Sequence, residues 1–293
     1  MPELPDITVY VEALTARVTG DALLNVRVAN PFVLRTVEPP LAALIGRRVE
    51  AVERLGKRIV LRFEGAHVLV VHLMVAGRLW WADAGGKPFK RASLAVLDFP
   101  RGHLHLTEAG TKRRASLHVG AGPEALAPHD RGGLEPLTST AASFAARLRS
   151  ERHTVKRALA DPRLFSGIGN AFSDEMLHRA RLSPMARTDT MHDDDVARLH
   201  AAVVAVLTEW TDRLRTEAAG AWPMKVTAFR PEMVVHGKFG QPCPACGHPV
   251  MRIRYAENET NYCAACQTGG RLLADRALSR LLREDWPRSL DEL

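Results

Sequence analysis

Four cysteines crowd into one short stretch near the C-terminus, CPACGHPVMRIRYAENETNYCAAC, and nothing else in the 293-residue chain restricts its folding so tightly. Two C-x2-C knuckles separated by sixteen residues present four sulfurs to one tetrahedral Zn2+ and leave no open coordination position, which suits a structural ribbon. Cys243, Cys246, Cys263 and Cys266 are the expected ligands of that one structural zinc ion. The β-type residues between them, VMRIRY and ETNYC, predict a hairpin closed by the metal. Two disulfides or redox pairs are the alternative use of such cysteines. His236 and His248 lie near, but four thiolates already close the shell. Cysteines gathered in one place cannot staple the rest of the chain, so the remainder has to rely on an apolar core. A hydrophobic content of 46 % with 25 % charged residues is ordinary for a soluble globular protein that does so.

The order of patterns along the chain predicts an α+β multidomain protein. Pro5 to Gly20 reads as a helix, with Ile7, Tyr10, Leu14 and Val18 at helical spacing. Short strand-like pieces follow: RIVLRF with alternating polarity, the continuous run HVLVV, then ASLAVLDF and HLHLTE. One helix followed by such an array suggests a β-sandwich or barrel-like domain over residues 1–120. Gly and Pro enrichment marks 121–138 as a linker. Helical patterning occupies 139–234, where Val196, Leu199, Val203, Val206, Leu207, Trp210 and Leu214 keep one apolar face. HDDD at 192–195 is expected to be the acidic first turn of that helix rather than a metal site. The finger spans 235–270, and an amphipathic helix with Leu272, Leu273, Leu278, Leu281 and Leu282 is expected in the extension 271–293. His72, His103, His105 and His118 lack ligand spacing and read as sheet-surface or core histidines.

Forty Lys and Arg against 33 Asp and Glu favour a polyanionic partner. No apolar run approaches the roughly 18 residues of a membrane span, and no leader pattern opens the chain, so a cytoplasmic protein is expected. The opening MPELPDI carries a chemical possibility of its own. Removal of Met1 would leave Pro2 as a free secondary amine, titrating near pKa ~8 and partly unprotonated at neutral pH. Such amines attack sugar or carbonyl carbons to make Schiff bases. The plainer use of these prolines is to stiffen the entry to the first helix.

Six segments in order, PELPDI, GKRIVLRF, HLMVAGRL, KRALADPRLFSGIGNAFSDEMLHRARLSP, VHGKFGQPC and NYCAACQ, resemble the formamidopyrimidine-DNA glycosylase / endonuclease VIII family, in the manner of a divergent bacterial member. The resemblance implies an N-terminal helix plus β-sandwich, a helix–two-turn–helix domain and a C-terminal four-cysteine zinc finger. It implies a base-excision DNA glycosylase with abasic-site lyase activity. Pro2 would attack C1′ of the damaged nucleotide and expel the base. Glu3 would protonate the sugar ring oxygen. Lys57 would sit by the lesion or its phosphate, and Lys156 and Asn170 would hold flanking phosphates. Taken alone, Glu3 could be a helix-start carboxylate and Lys57 a solvated strand end. Damaged duplex DNA, with single-stranded or bubble DNA as a variant, is the implied partner of a monomer associated with the nucleoid.

The pattern is broken in three places. The family's finger usually carries an arginine five residues before its third cysteine; here that position is Asn258, between Glu257 and Glu259, so the grip on DNA there is expected to differ. The void left by a flipped base is filled in relatives by a Met, an Arg and a Phe. Here Val75 stands in the methionine's slot beside Met74, and TEAGTKRRASL offers Lys112, Arg113 or Arg114 without a phenylalanine. The segment before the finger also lacks a long glycine-rich loop. These departures leave two further possibilities: a non-catalytic damaged-DNA-binding protein on the same scaffold, or a glycosylase redirected to bulky, alkylated or cross-linked bases.

Overall fold

The start of the first helix shows how the N-terminus is anchored. In the structure, a computed structural model, α1 spans Leu4–Val18, with Glu3 preceding it in extended backbone and donating its N–H to the Asp6 carboxylate at 3.0 Å. Pro5 occupies the first turn, where a missing N–H loses no helical bond. The expected stripe Ile7, Tyr10, Leu14 and Val18 is buried to 1 % exposure or less. Thr19 adopts extended backbone and ends the helix before the Gly20 suggested by the pattern. The structure describes every residue except 88, 110, 111, 228, 256, 257, 276–280, 282–286 and 293.

Eight strands follow: β1 (Asn25–Val28), β2 (Val49–Leu55), β3 (Arg58–Phe63), β4 (His67–His72), β5 (Gly77–Asp83), β6 (Ala95–Phe99), β7 (Gly102–Glu108) and β8 (Ser116–Ala121). They form two four-stranded sheets, ordered β1-β6-β7-β5 and β2-β3-β4-β8, with every neighbouring pair antiparallel. Ile59, Leu61, Phe63, Leu69 and Val71 from one sheet meet Leu79, Leu97, Phe99, Leu104 and Leu106 from the other in a single core that also takes the apolar face of α1. This is the expected sandwich. The unbroken run HVLVV has a specific cause. Val68 and Val70 point to the outer face of their sheet, where they are buried with Val60 under Ala125 and Leu126. A strand covered on both faces has no reason to alternate.

The chain forms two compact units. The first comprises Met1–Arg131 and Trp210–Thr227; the second comprises Gly132–Glu209 and Ala228–Leu293. Within the first unit, Arg215 reaches the Glu12 carboxylate at 2.7 Å, and Trp222 packs against Tyr10 and Trp81. The second unit contains α2 (Ala141–Arg149), α3 (Val155–Ala160), α4 (Asn170–Arg179) and the first part of α5 (Asp193–Ala218). The turns between α3 and α4 make this the helix–two-turn–helix segment. Asp193 to Asp195 open α5 as its acidic first turn, with Arg149 on Asp193 and Arg198 on Asp195. The finger is the antiparallel hairpin β9 (Val250–Arg254) and β10 (Glu259–Cys263), followed by the short α6 (Ala264–Thr268). Leu272 and Leu273 pack on Tyr262, whose hydroxyl accepts the Leu273 N–H at 2.8 Å. Leu278 and Leu282 of the expected amphipathic helix lie outside the described residues, and Leu281 is exposed. No helix among the described residues is long and apolar enough to cross a membrane.

One turn of the first unit is tightly constrained. Between β4 and β5 the Gly77 N–H closes on the Leu73 carbonyl at 2.9 Å. Met74 takes a left-handed backbone there, at φ +53°, and Val75 stands exposed at the tip. A Cβ on residue 77 would lie 2.3 Å from the Leu73 oxygen. Gly77→Ala is therefore expected to lower unfolding stability by about 2 kcal/mol, measured by urea denaturation, because backbone rather than a flexible side chain must give way. An unchanged midpoint would mean the turn opens at little cost.

Candidate active site

The N-terminal residues are buried together. Pro2 is buried and Glu3 is 3 % exposed, at the start of α1. β2 and β3 are joined by the two-residue tip Gly56-Lys57, and Gly56 sits at φ +60°, a conformation glycine adopts without a Cβ clash. The tip brings Lys57 within electrostatic reach of Glu3. Burial holds the Lys57 ammonium below its usual range, and the Glu3 charge works against that. The amine of Met1 lies in the same field. Burial is the main cause that draws it below its ordinary 8.0; Glu3 and Asp6 push it up while Arg78 and Lys57 push it down. An amine kept from protonation, a carboxylate and two cations are the components of nucleophilic attack, proton transfer and anion binding at one place. Behind them, Trp222 Nε1 donates to the Leu79 carbonyl at 3.0 Å and Tyr10 Oη donates to the same oxygen at 3.3 Å.

The expected gap-filling residues lie on two loops. Met74 is half-buried, whereas Val75 is exposed. Lys112, Arg113 and Arg114 are all exposed in the connection from β7 to β8, which the Glu108 carboxylate holds by accepting the N–H groups of Arg114 and Ala115 at 2.8 and 2.9 Å.

In the second unit, a cleft of about 560 Å3 brings together Lys156, Asn170 and Asn258, three residues expected to meet nucleic acid. Arg152, Arg157 and Arg187 also line it, and Tyr255 and Met185 offer apolar surface. Lys156 is more committed than its sequence suggests. Its ammonium donates to the Asn170 carbonyl at 2.9 Å, to Ser173 Oγ at 3.0 Å and to the Asp174 carboxylate at 2.6 Å. Those are all the donors an ammonium has. Asn170 Nδ2 donates to the Glu259 carbonyl on β10 at 3.0 Å.

The four cysteines carry no disulfide, and their sulfurs lie within 4.8 Å of one another. Tetrahedral Zn–S bonds of about 2.3 Å require sulfurs roughly 3.8 Å apart, so the set fits zinc. Burial first, then the neighbouring cysteines, hold the Cys263 thiol well above its usual range; Cys266 is pushed up to about 11, chiefly by burial. Four thiolates share this space only with a dication to balance them. Zinc here would supply folding energy by clamping the hairpin to α6.

The residues that sequence reasoning passed over, Asp174, Glu175 and His178, follow Asn170 on α4. Asn170, Asp174 and His178 recur every fourth residue, one stripe of a helix, and each contacts the finger or the segment leading into it. Asp174 accepts from His236 Nδ1 at 2.8 Å as well as from Lys156. His178 Nε2 lies 3.3 Å from Cys243 Sγ. Beside the stripe, Glu175 accepts three backbone N–H groups, from Val234, Val235 and His236, at 2.8 to 2.9 Å. Their only sequence signal was a place inside GNAFSDEMLHRARLSP, where carboxylates look like solvated helix surface. Arg78 was equally hidden inside HLMVAGRL.

Comparison with known proteins is consistent with this geometry. Residues 1–115 match the model of the formamidopyrimidine-DNA glycosylase N-terminal domain, 133–216 its H2TH domain, and 240–269 the zinc finger found in FPG and IleRS. The formamidopyrimidine-DNA glycosylase of Exiguobacterium sibiricum is 30 % identical over 279 residues, covering 91 % of this chain and 99 % of that one. The enzyme of that name from a Roseiflexus species is 32 % identical over 280 residues, covering 91 % and 100 %. Among solved structures, Lactococcus lactis Fpg bound to DNA containing an oxidized pyrimidine superposes with a TM-score of 0.80 at 22 % identity, over 91 % of this chain and all of that one. That likeness establishes the fold.

Two outcomes follow from the electrostatics. Asp174 has no exposed side-chain surface, and Lys156 is nearly as buried. Asp174→Asn leaves the ammonium without its counter-charge and should destabilise the chain by about 3 kcal/mol in urea denaturation, with part of the loss recovered in the double variant with Lys156→Met. His72 is pushed down to about 4 by burial, then by Arg58 and Lys57, from an ordinary 6.5. The folded ring resists a proton that the unfolded chain accepts, so stability should fall as pH drops from 6.5 toward about 4. His72→Gln should reduce that loss, read as urea midpoints across the window.

Proposed function

The chain belongs to the formamidopyrimidine-DNA glycosylase family and is a base-excision DNA glycosylase and abasic-site lyase; we propose that its reaction runs through Pro2, with Glu3 as the acid and Lys57 as the cation beside the reacting sugar. Removal of Met1 frees the Pro2 nitrogen. A damaged nucleotide leaves the stack, at a few kcal/mol, because a stacked base cannot be attacked. The Pro2 lone pair bonds to C1′, and the glycosidic bond breaks with its electron pair going to the base, which is protonated as it departs. Glu3 gives a proton to the ring oxygen, the ring opens, and a charged iminium joins Pro2 to C1′. That iminium draws electrons from C2′ as its proton is removed, so the 3′ phosphate leaves by β-elimination and the 5′ phosphate by δ-elimination. Water then hydrolyses the imine and returns the amine.

The observation that supports this reading is the burial of Pro2 and Glu3 together at the start of α1, with Lys57 in electrostatic reach of Glu3. A protein that merely bound damaged DNA would have no use for a buried proline behind the initiator methionine with a carboxylate and a lysine gathered beside it. In the second unit, Asn170 and Asn258 with Arg152, Arg157 and Arg187 are assigned to the phosphate backbone. Lys156 acts through the helix start it ties down, since its donors are engaged inside the fold. Arg113 is assigned to the space left by the flipped base, with Lys112 and Arg114 flanking it and Val75 at the tip of the neighbouring turn. Damaged duplex DNA is the assigned substrate, with single-stranded or bubble DNA as a variant; the protein is assigned as a monomer that acts in the cytoplasm on the nucleoid.

Borohydride reduction on an abasic-site duplex tests the mechanism. A chain beginning at Pro2 should form a covalent adduct that peptide mass mapping places on Pro2. A chain with one extra residue ahead of Pro2, whose nitrogen is then an amide, should form none. An adduct on any other residue, or equal trapping of both chains, would remove Pro2 from the reaction.

A further inference from the structure

The glycosylase reading has no role for His178. The residue lies in the last turn of α4, two helical turns beyond Asn170, and its Nε2 is 3.3 Å from Cys243 Sγ. Cys243 is 1 % exposed, in a small cluster with Val235, Val250 and Cys263, so its sulfur has to find its partners in protein. A cysteine that ligates zinc is a thiolate, with lone pairs to offer and no proton to give. The hydrogen between the two atoms must therefore sit on Nε2, leaving Nδ1 bare. Of the neighbouring cations, Arg179 forms a two-pronged pair with Glu209 at 2.7 and 2.9 Å, and Arg181 lines, with His178 itself, a cavity of about 360 Å3 at Cys266.

We propose that His178 is a positioning residue of the zinc centre, donating Nε2–H to the Cys243 thiolate so that α4 aims and retains this buried ligand. Partial withdrawal of charge from the sulfur makes it a poorer target for protons, and the rigid ring fixes the direction in which its remaining lone pairs point. The helix that carries the DNA-facing Asn170 at its start thus holds the metal at its end. The inference rests on zinc occupancy and not on the Pro2 mechanism.

Release of zinc to a chromophoric chelator from the full, zinc-loaded chain provides the test. His178→Phe keeps the ring's bulk and removes the donor; it should release zinc about 10- to 100-fold faster, the usual effect of losing such a partner. His178→Gln places an N–H near the same point and should release at close to the native rate. Phe and native chains within about twofold of each other, or Gln as fast as Phe, would overturn the proposal. A measurement on the unaltered chain stands independently of how the variants fold. In cadmium-substituted protein, nitrogen NMR of the His178 ring should show Nε2 protonated with scalar coupling to the metal across the hydrogen bond. A bare Nε2 would overturn it outright.

Discussion

A carboxylate with no exposed surface is costly to fold around, and Asp174 is tolerated because two donors reach it from different parts of the chain, Lys156 on α3 and His236 before the finger. Burying any one member commits the others, since a lone charge in that place would cost several kcal/mol. This is how a short helix organises the second unit. α3, α4, the lead-in segment and the finger hairpin are separate in sequence; the two helices bury Val155, Leu159, Phe172, Met176 and Leu177, whereas the finger has less apolar surface to offer. The finger's own cores are small clusters around Tyr262 and Cys243. Polar stitching along one face of α4 fixes how the finger and its lead-in segment seat on that helix.

The first unit solves a different problem. Its sandwich core is large and apolar, so it can carry an energetic liability at one edge. That liability is the N-terminal amine, with Glu3, Lys57 and Arg78 in reach of it. Two cations and an amine crowded together would repel one another if all were charged. Burial lowers the proton affinity of the Met1 amine and of Lys57, which eases that repulsion. The capping of α1, with the Glu3 N–H on Asp6, keeps the first residues from fraying into water, where that suppression would vanish.

Much of this could be read in the sequence, for identifiable reasons. Strands such as RIVLRF and the stripe Ile7, Tyr10, Leu14, Val18 declared themselves because burial repeats with the period of the backbone. The zinc ligands did so because ligand spacing is a local property. HVLVV could be recognised as buried on both sides, but the cover provided by Ala125 and Leu126 could not, since it comes from a stretch whose glycines and prolines look like linker. Asp174, Glu175 and His178 were illegible for a related reason. Polar residues on a helix signal solvent unless their partners are known, and those partners lie some 60 residues away. Asn258 and Lys156 line one cleft, a proximity that their spacing in the sequence could not have revealed.

The saturated ammonium of Lys156 has a consequence for ions in solution. A polyanion displaces condensed counterions only in proportion to the charge it meets, and the cleft's four cations, Arg152, Lys156, Arg157 and Arg187, are not four free charges. Asp174 balances Lys156, and Asp189 lies against both Arg152 and Arg187. Four positive and two negative charges leave a net of two, so this surface would release about two ions on closing over a phosphate backbone rather than four. The cleft is more basic in composition than in net charge, so its response to salt would be weaker than a count of its cations suggests.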